Sequence, residues 1–337
     1  MSTDRDLETY YTLWRLSCGA EAQDVVACAI ELGLFTRLAD GPRTIPEIAE
    51  AMEIRLRPAE VLAVTCASIG VLRKDGDRYR NVPDMEAFLV EGGEMYNQYT
   101  AFGRAGYVDE DRGDKIRQAV LTDKPRSGEG WLDAATGKKQ PFPFYPKRHR
   151  LRILWGDCVA RAFDFTPFRK ITDLGGATGG HLVGIVRRFP HLEAIVFDLE
   201  YNREAAEEGL SRTDESGTIR FQTGTFFEDE LPHGTDVFLL SHILHDWGRE
   251  RCLQILRRSC DALPDDGVVL AEEFLLNEEK TGPLLAAFQG LHVFYNNIEA
   301  RQYTGSEIQE MMAEAGFARS EVRPIDPEQS IVIGWKM

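Results

Sequence analysis

The feature that most constrains this chain is an alternation, from about residue 170 onward, of short apolar runs with amphipathic helical segments. Parallel strands need a long crossover between them, which a helix usually supplies, so the alternation is typical of a parallel sheet wound with helices. We therefore predict an α/β fold for the C-terminal half. The predicted strands are Lys170–Leu174, Ala194–Asp198, Ile219–Thr223, Asp236–Ser241, Gly267–Glu273, Glu321–Arg323 and Ser330–Lys336.

The N-terminal part of the chain has a different, mainly helical pattern. Apolar residues recur at helical spacing over residues 7–38, and a further helix is predicted over residues 57–69. Thr44 and Glu47 have the spacing of a capping box, which predicts another helix start between them. Residues 70–80 predict two short strands around the turn Asp75-Gly76. Helices followed by a hairpin predict a winged-helix shape.

A winged helix can bind nucleic acid or form a dimer, and the charge of the chain bears on which of the two is expected. Lysine and arginine number 39 against 55 aspartate and glutamate residues, a formal net charge of −16. An acidic protein repels the phosphate backbone, so nucleic acid is not an expected partner. We expect these helices to pair in a homodimer, because their apolar faces need a partner. A winged-helix regulator with a ligand-binding second domain is the alternative.

A chain of 337 residues is longer than one typical domain, which predicts more than one. We predict a dimerisation domain over residues 1–95, a connector over residues 96–150 and a second domain over residues 151–337. The connector is rich in glycine, proline and lysine, and its aromatic residues are expected either to line a substrate pocket or to pack against a neighbouring domain. These aromatic residues are Tyr96, Tyr99, Phe102, Tyr107, Trp131, Phe142, Phe144 and Tyr145.

The location of the protein is predicted from its apolar runs, its first residues and its cysteines. No run approaches the roughly 18 apolar residues of a membrane span, so no membrane partner is expected. The first ten residues are polar and acidic, unlike a targeting peptide, and this predicts a cytoplasmic protein. The six cysteines form no CxxC pair, which indicates reduced thiols and no cysteine metal site.

A glycine-rich turn follows the first predicted strand of the second domain. The segment Ile171–Gly180 places Gly175, Gly176 and Gly179 where the strand passes to a helix, and glycine lets the backbone approach a ligand closely. Asp198 ends the next strand, about twenty positions on, where its carboxylate can accept both hydroxyls of a ribose. These residues predict a nucleotide-binding unit, and on their own they also fit a pyrophosphate-binding dehydrogenase.

A second motif, Leu244-His245-Asp246-Trp247, follows the fourth predicted strand at the carboxyl edge of the sheet, where ligands bind in such folds. Together with FPHL at residues 189–192, FDL at residues 197–199 and ALP at residues 262–264, it resembles the small-molecule O-methyltransferases of the caffeate and acetylserotonin type. The resemblance covers essentially the whole chain. It implies a class I methyltransferase sheet, which is Rossmann-like, behind a mainly helical winged-helix dimerisation domain.

The resemblance also implies roles for particular residues. S-adenosylmethionine becomes the expected cofactor and S-adenosylhomocysteine the product, with contacts from Gly175, Gly176, Gly179, Asp198, Thr225, Phe226 and Ser241. In this family the histidine of the His-Asp-Trp motif is the general base that removes the substrate hydroxyl proton, and here it is His245. The acidic residue that orients the base falls on Glu273, because strand alternation sends Glu272 to the other face. The expected acceptor is a hydroxyl of a secondary metabolite, contacted by Asp246, His292 and Asn297.

Three positions depart from the family pattern. Thr225 stands where an adenine-binding aspartate is usual, Ser241 where a cofactor-contacting lysine is common, and Gln302 where the family has a second glutamate in the active site. Val293 aligns with a substrate-packing residue of plant members. The cofactor site is therefore expected to be more neutral than in the family, and the base to lack one acidic neighbour.

These departures leave a second mechanism open. Two histidines and a carboxylate form a set that holds iron or zinc with open positions, and some bacterial relatives methylate the carbon beside the ketone of 2-oxo acids at such a metal. The corresponding ligands here are His245, Asp246 and His292, with His242 as a further candidate. The preferred hypothesis, O-methylation with His245 as base, requires no metal. A member that keeps the cofactor without transferring its methyl group is also possible.

Overall fold

The computed structural model describes residues 22–96, 148–280 and 282–337, together with residues 16, 19, 20, 115, 119, 122, 124 and 125. The aromatic residues of the predicted connector, apart from Tyr96, lie outside this set. The chain divides into two compact units, Met1–Asp109 and Glu110–Met337. The predicted boundaries near residues 95 and 150 stay predictions.

The first unit is mainly helical and contains a small antiparallel sheet. Residues 22–31 are helical, and they are followed by α1 (Leu34–Ala39), β1 (Arg43–Thr44), α2 (Ile45–Ala51), α3 (Leu56–Ser68), β2 (Leu72–Asp75), β3 (Arg78–Asn81) and α4 (Pro83–Leu89). The three strands are ordered β1-β3-β2. Buried residues from the helices, including Leu34, Phe35 and Ile48, form the core of this unit.

Local sequence signals set the ends of these elements. Thr44 caps α2 as predicted, because its hydroxyl accepts the Glu47 N–H at 3.4 Å while the Glu47 carboxylate accepts the Thr44 N–H at 2.7 Å. Strands β2 and β3 pair on either side of Gly76, whose φ of 58° lies in the left-handed region that a tight hairpin turn requires. The capping box and the hairpin are therefore confirmed.

The second unit alternates strands with helices. Its elements are α5 (His149–Ala162), β4 (Lys170–Leu174), α6 (Gly180–Arg188), β5 (Glu193–Asp198), α7 (Arg203–Ser211), β6 (Ile219–Thr223), β7 (Val237–Ser241), α8 (Arg249–Ala262), β8 (Val268–Glu273), α9 (Leu284–Asn296), α10 (Gly305–Ala315), β9 (Arg319–Pro324) and β10 (Ser330–Trp335). Short 3₁₀ turns cover Glu200–Asn202, Asp214–Gly217 and Leu244–Asp246.

The strands form one seven-stranded sheet in the order β6-β5-β4-β7-β8-β10-β9. Neighbours among β4 to β8 are parallel, whereas β10 runs antiparallel to both β8 and β9. The α/β prediction is confirmed, with the strands within a few residues of their predicted positions. The largest difference is β9, which begins at Arg319 rather than Glu321 because it pairs with β10 along its whole length.

Side-chain alternation along the strands divides the core into two layers. In β7, Val237 and Leu239 pack with residues of α5 and α6, whereas Phe238 and Leu240 pack with residues of α8 and α10. Both faces of the sheet are therefore covered by helices, and the carboxyl ends of β4, β5, β7 and β8 are left to build a site. Within the described parts of the chain, no helix has the length and apolar character needed to cross a bilayer.

Candidate active site

The turn between β4 and α6 is held in a conformation that favours glycine. Gly175 and Gly179 have φ values of 78° and 72°. A Cβ on Gly175 would lie 2.5 Å from Cδ1 of Ile243 and 3.5 Å from Cε1 of Phe226. Ile243 and Phe226 therefore lie directly beside the turn, which makes one side of this edge apolar.

Asp198 lies at the carboxyl end of β5, next to the same turn, and is only 8% exposed. Its carboxylate accepts hydrogen bonds from the N–H of Ala177 at 2.7 Å, the N–H of Leu199 at 2.7 Å and Nδ2 of Asn202 at 2.8 Å. Burial raises the pKa of Asp198, and these donors only partly offset the effect. A buried acceptor is thus fixed against the glycine turn, as the nucleotide-binding prediction requires.

Asp173, which we did not predict as a site residue, lies in β4 below the turn. A Cβ on Gly176 would be 2.7 Å from its Cγ. The side chain is fully buried, and neither carboxylate oxygen has a hydrogen-bond partner among the described residues. Burial raises the pKa of Asp173 to about 7. The only sequence signal was its position two residues before the first glycine of the turn.

Thr225 and Phe226 follow β6. The Thr225 N–H donates to Asp229 at 2.8 Å, and the Thr225 hydroxyl accepts from the Phe227 N–H at 3.3 Å. The Phe226 ring packs edge-on against Phe227, with 4.8 Å between ring centroids. Of these two predicted cofactor contacts, Phe226 has the firmer geometric support, because its ring lies close to Gly175 in the glycine turn.

His245 and Glu273 are brought together as the sequence predicted. His245 lies in the 3₁₀ turn after β7, and its Nδ1 is 2.5 Å from Oε2 of Glu273 at the end of β8. The other carboxylate oxygen of Glu273 accepts the N–H of Leu244 at 2.9 Å and the N–H of His245 at 3.3 Å. Both side chains are buried. The carboxylate therefore fixes both the ring and the backbone of the turn.

The electrostatics of His245 are set by opposing effects. Burial acts to lower the pKa of His245, but the negative charges of Glu273 and Asp246 and the Glu273 hydrogen bond together outweigh burial and raise the pKa to about 9. Nε2 of the ring lies 3.7 Å from Oδ1 of Asp246, and that oxygen accepts from Nδ2 of Asn297 at 2.9 Å. Asp246 and Asn297 are thus placed on the Nε2 side of the ring.

His292 is in α9, as the sequence predicted, but it is not gathered with His245 and Asp246. Its carbonyl oxygen accepts from Nδ2 of Asn296 at 2.9 Å. Among the residues with described positions, two groups bring metal-ligating atoms within 4.8 Å of one another: His181, His242 and Glu272, and His242, His245 and Glu273. The histidine–aspartate–histidine set of the alternative mechanism is neither of these.

A second buried network, which we did not predict, lies beside the first. Ser241 donates to Oε2 of Glu272, and its oxygen lies 2.8 Å from Nε2 of His181. Nε2 of His181 is also 3.2 Å from Oε2 of Glu272. Strand alternation does send Glu272 away from His245, but to this network rather than to the apolar core. No short-range signal could have found it, since Ser241 and His181 are 60 positions apart.

Gln302, the third position that departs from the family pattern, also has a structural role. Nε2 of Gln302 donates to the carbonyl oxygen of Phe274, one residue after the end of β8. Phe274 and Trp155 pack against the ring of His242, with centroid distances of 5.2 and 5.0 Å. Gln302 therefore ties a loop to the strand that carries Glu273.

The sequence matches known families over most of its length. The O-methyltransferase domain family matches residues 136–318, and the O-methyltransferase dimerisation domain family matches residues 14–91. The chain is 33% identical over 320 residues to a 3-hydroxy-5-methyl-1-naphthoate 3-O-methyltransferase of Streptomyces sahachiroi, covering 92% of this chain and 89% of that protein. It is 27% identical to the acetylserotonin O-methyltransferase of Gallus gallus over the whole of both chains.

Solved structures show the same fold. The crystal structure of human N-acetylserotonin methyltransferase in complex with SAM superposes with a TM-score of 0.80 at 24% identity, covering 100% of this chain and 99% of that one. The SAH-bound form of CalO1, a methyltransferase in calicheamicin biosynthesis, superposes with a TM-score of 0.82 at 21% identity over both chains in full.

Proposed function

This chain belongs to the S-adenosylmethionine-dependent O-methyltransferase family, and on that premise we propose that it methylates a hydroxyl of an aromatic secondary metabolite with His245 as the general base. The observation that carries the proposal is the buried contact of 2.5 Å between Nδ1 of His245 and Oε2 of Glu273. This contact lies at the carboxyl edge of the sheet, one strand away from the glycine turn.

The residues around the glycine turn fit the cofactor. Asp198 offers a fixed acceptor for ribose hydroxyls, and Phe226 offers an apolar ring beside Gly175. Asp173 is a buried carboxylate without a hydrogen-bond partner within the described structure, directly under the turn, and such a group is suited to a cation such as the ammonium of a methionine portion. When bound, S-adenosylmethionine supplies an electrophilic methyl group on a positively charged sulfur.

His245 is arranged to accept a proton at one ring nitrogen. Because Nδ1–H donates to Glu273, the neutral ring presents Nε2 as an acceptor. The Glu273 carboxylate is itself held by two backbone N–H groups, so it keeps this tautomer and stabilises the imidazolium formed on proton transfer. Asp246 and Asn297, on the Nε2 side, are placed to position an acceptor hydroxyl.

The acceptor class is proposed from the relatives. The 33%-identical relative is named for the 3-O-methylation of a hydroxynaphthoate, and another at 29% identity for 8-O-methylation in polyketide synthesis. Both names describe methyl transfer to oxygen, and the first gives an aromatic naphthoate as the acceptor. Metal-assisted C-methylation through His245, Asp246 and His292 has less support, because neither Asp246 nor His292 belongs to a potential metal group in the described structure.

We also propose that the chain works as a homodimer. Its residues 14–91 match a dimerisation domain family, and exposed apolar side chains are present on the first unit, among them Leu56 and Val64 at 58% and 47% exposure. A two-fold pairing of this unit would bury such side chains.

Methyl transfer can be tested with radiolabelled S-adenosylmethionine and a panel of hydroxynaphthoates and related phenols, with the product identified by mass spectrometry and NMR. We expect an O-methyl ether from the wild type. His245→Ala should lower turnover by about 10²–10⁴-fold, the usual contribution of a general base, and leave cofactor affinity nearly intact by calorimetry.

His233→Ala is a matched control, since the ring of His233 is exposed and pairs with Glu230 at the surface, and the substitution leaves its backbone contact with Lys170 in place. It should keep full activity. Undiminished turnover in His245→Ala would rule out the general-base role, and a C-methylated product would rule out the O-methylation proposal.

A further inference from the structure

The network around Ser241 lies beside the His245–Glu273 pair, and it gathers strong ligand groups. His181 comes from the first turn of α6, His242 from the segment after β7 and Glu272 from β8. One ligand atom from each of these residues lies within 4.8 Å of the others. Three separate elements of the sheet layer therefore converge on one small volume.

Several buried atoms in this volume have no hydrogen-bond partner within the described structure. They are Nδ1 of His181, Nε2 of His242 and Oε1 of Glu272. Glu272 is fully buried and His181 is 2% exposed, so water cannot readily satisfy them. A bound cation would satisfy the free lone pairs of His242 and Glu272, whereas His181 would bind through Nε2, the nitrogen that lies 3.2 Å from Oε2 of Glu272.

The donor types, and the spacing between His181 and Glu272, fit a transition metal. Two ligand atoms that each lie about 2.0–2.2 Å from one ion are about 3–3.5 Å apart. Nε2 of His181 and Oε2 of Glu272 are separated by 3.2 Å. Two imidazoles with one carboxylate favour zinc or iron(II), whereas magnesium and calcium prefer oxygen donors alone. We propose that His181, His242 and Glu272 bind a divalent transition-metal ion, at a site distinct from the His245–Glu273 pair.

The neighbouring group of His242, His245 and Glu273 is the weaker candidate. Nδ1 of His245 and both carboxylate oxygens of Glu273 already take part in hydrogen bonds. Only His242 is shared between the two groups. The ring centroids of His242 and His245 are 5.7 Å apart, so an ion at the proposed site would place a positive charge near the base.

The site can be tested with Co²⁺ as the probe, on full-length protein that carries no histidine tag and has been treated with chelator. We expect one Co²⁺ per chain by calorimetry, with visible absorption bands of nitrogen and oxygen ligation. Glu272→Gln and His242→Ala should each weaken Co²⁺ binding at least about tenfold, because each removes a direct ligand.

The controls separate this site from the alternatives. Glu273→Gln should retain Co²⁺ binding, and so should His292→Ala and the surface variant His233→Ala. His242 is partly exposed, so His242→Ala should fold even if the buried Glu272→Gln does not, and melting curves of both report this.

Three results would overturn the proposal. They are the absence of stoichiometric Co²⁺ binding, binding that survives His242→Ala in a folded protein, and displacement of Co²⁺ by stoichiometric S-adenosylmethionine. The last result would assign these side chains to the cofactor. Failure of the methyl-transfer proposal is read from the product assay and does not affect this measurement.

Discussion

Replacement of Asp198 by asparagine tests the cofactor site without knowledge of the acceptor. The carboxylate of Asp198 accepts three hydrogen bonds, from Ala177, Leu199 and Asn202. An amide has one oxygen, so in either orientation its NH₂ group faces at least one N–H donor. At least one buried donor then loses its partner, and we expect the free energy of unfolding to fall by about 1–3 kcal/mol.

The effect on cofactor affinity is separate from this loss of stability. A ribose hydroxyl that donates to a carboxylate makes a charge-assisted hydrogen bond of about 1.5–3 kcal/mol. Losing this hydrogen bond corresponds to a dissociation constant about tenfold to hundredfold larger. Calorimetric titration of Asp198→Asn with S-adenosylhomocysteine measures this change, and a thermal melt of the same sample measures stability.

Glu200 supplies the matched control. It is exposed, two residues further along, and bonded to Arg203 and Thr223 rather than to the turn, interactions that lower its pKa to about 2. Glu200→Gln removes the same charge and should leave cofactor affinity unchanged. A cofactor affinity of Asp198→Asn within about twofold of wild type would place the ribose elsewhere. An equal loss of cofactor affinity in Glu200→Gln would show that the effect comes from the change in net charge rather than from a contact with the ribose.

The remaining predictions concern the base and the assembly. Glu273→Gln should lower turnover by about 10²–10⁴-fold with little change in cofactor affinity, because an amide NH₂ facing the base favours the wrong imidazole tautomer; normal turnover would contradict this. His245 accepts a proton only when it is neutral, and the neighbouring carboxylates raise its pKa to about 9. We therefore expect kcat/KM to increase with pH up to about 9. A flat pH profile below that value would contradict the assignment of His245 as the base. The full chain should have the mass of a dimer by light scattering at micromolar concentration; a monomer would contradict the dimer proposal.

Local signals in the sequence were sufficient for most of the fold. The Thr44–Glu47 capping box involves residues three positions apart, so short-range geometry decides it. Strand positions followed from apolar runs, because buried parallel strands must be apolar on both faces. The predicted bounds of β9 were too short, since an edge strand is set by its pairing with β10 rather than by its own alternating pattern.

The pairing of His245 with Glu273 was predicted only through a resemblance to known enzymes. Strand alternation then separated Glu273 from Glu272, because neighbouring residues of a strand point to opposite faces. The distance of 2.5 Å and the two backbone N–H groups that hold the carboxylate depend on the register of β7 against β8.

The sequence by itself determined the strand–turn–helix unit, the acidic end of β5 and the turn that carries the base, because each of these is encoded over a few neighbouring residues. Only the tertiary structure decided that His181, Ser241 and Glu272 meet, and that Asp173 is buried without a hydrogen-bond partner in the described structure. Positions 60 and 31 apart along the chain carry no common periodicity. Their contact follows from packing α6 against the sheet and from the order of its strands, which fix the distances between side chains on different elements.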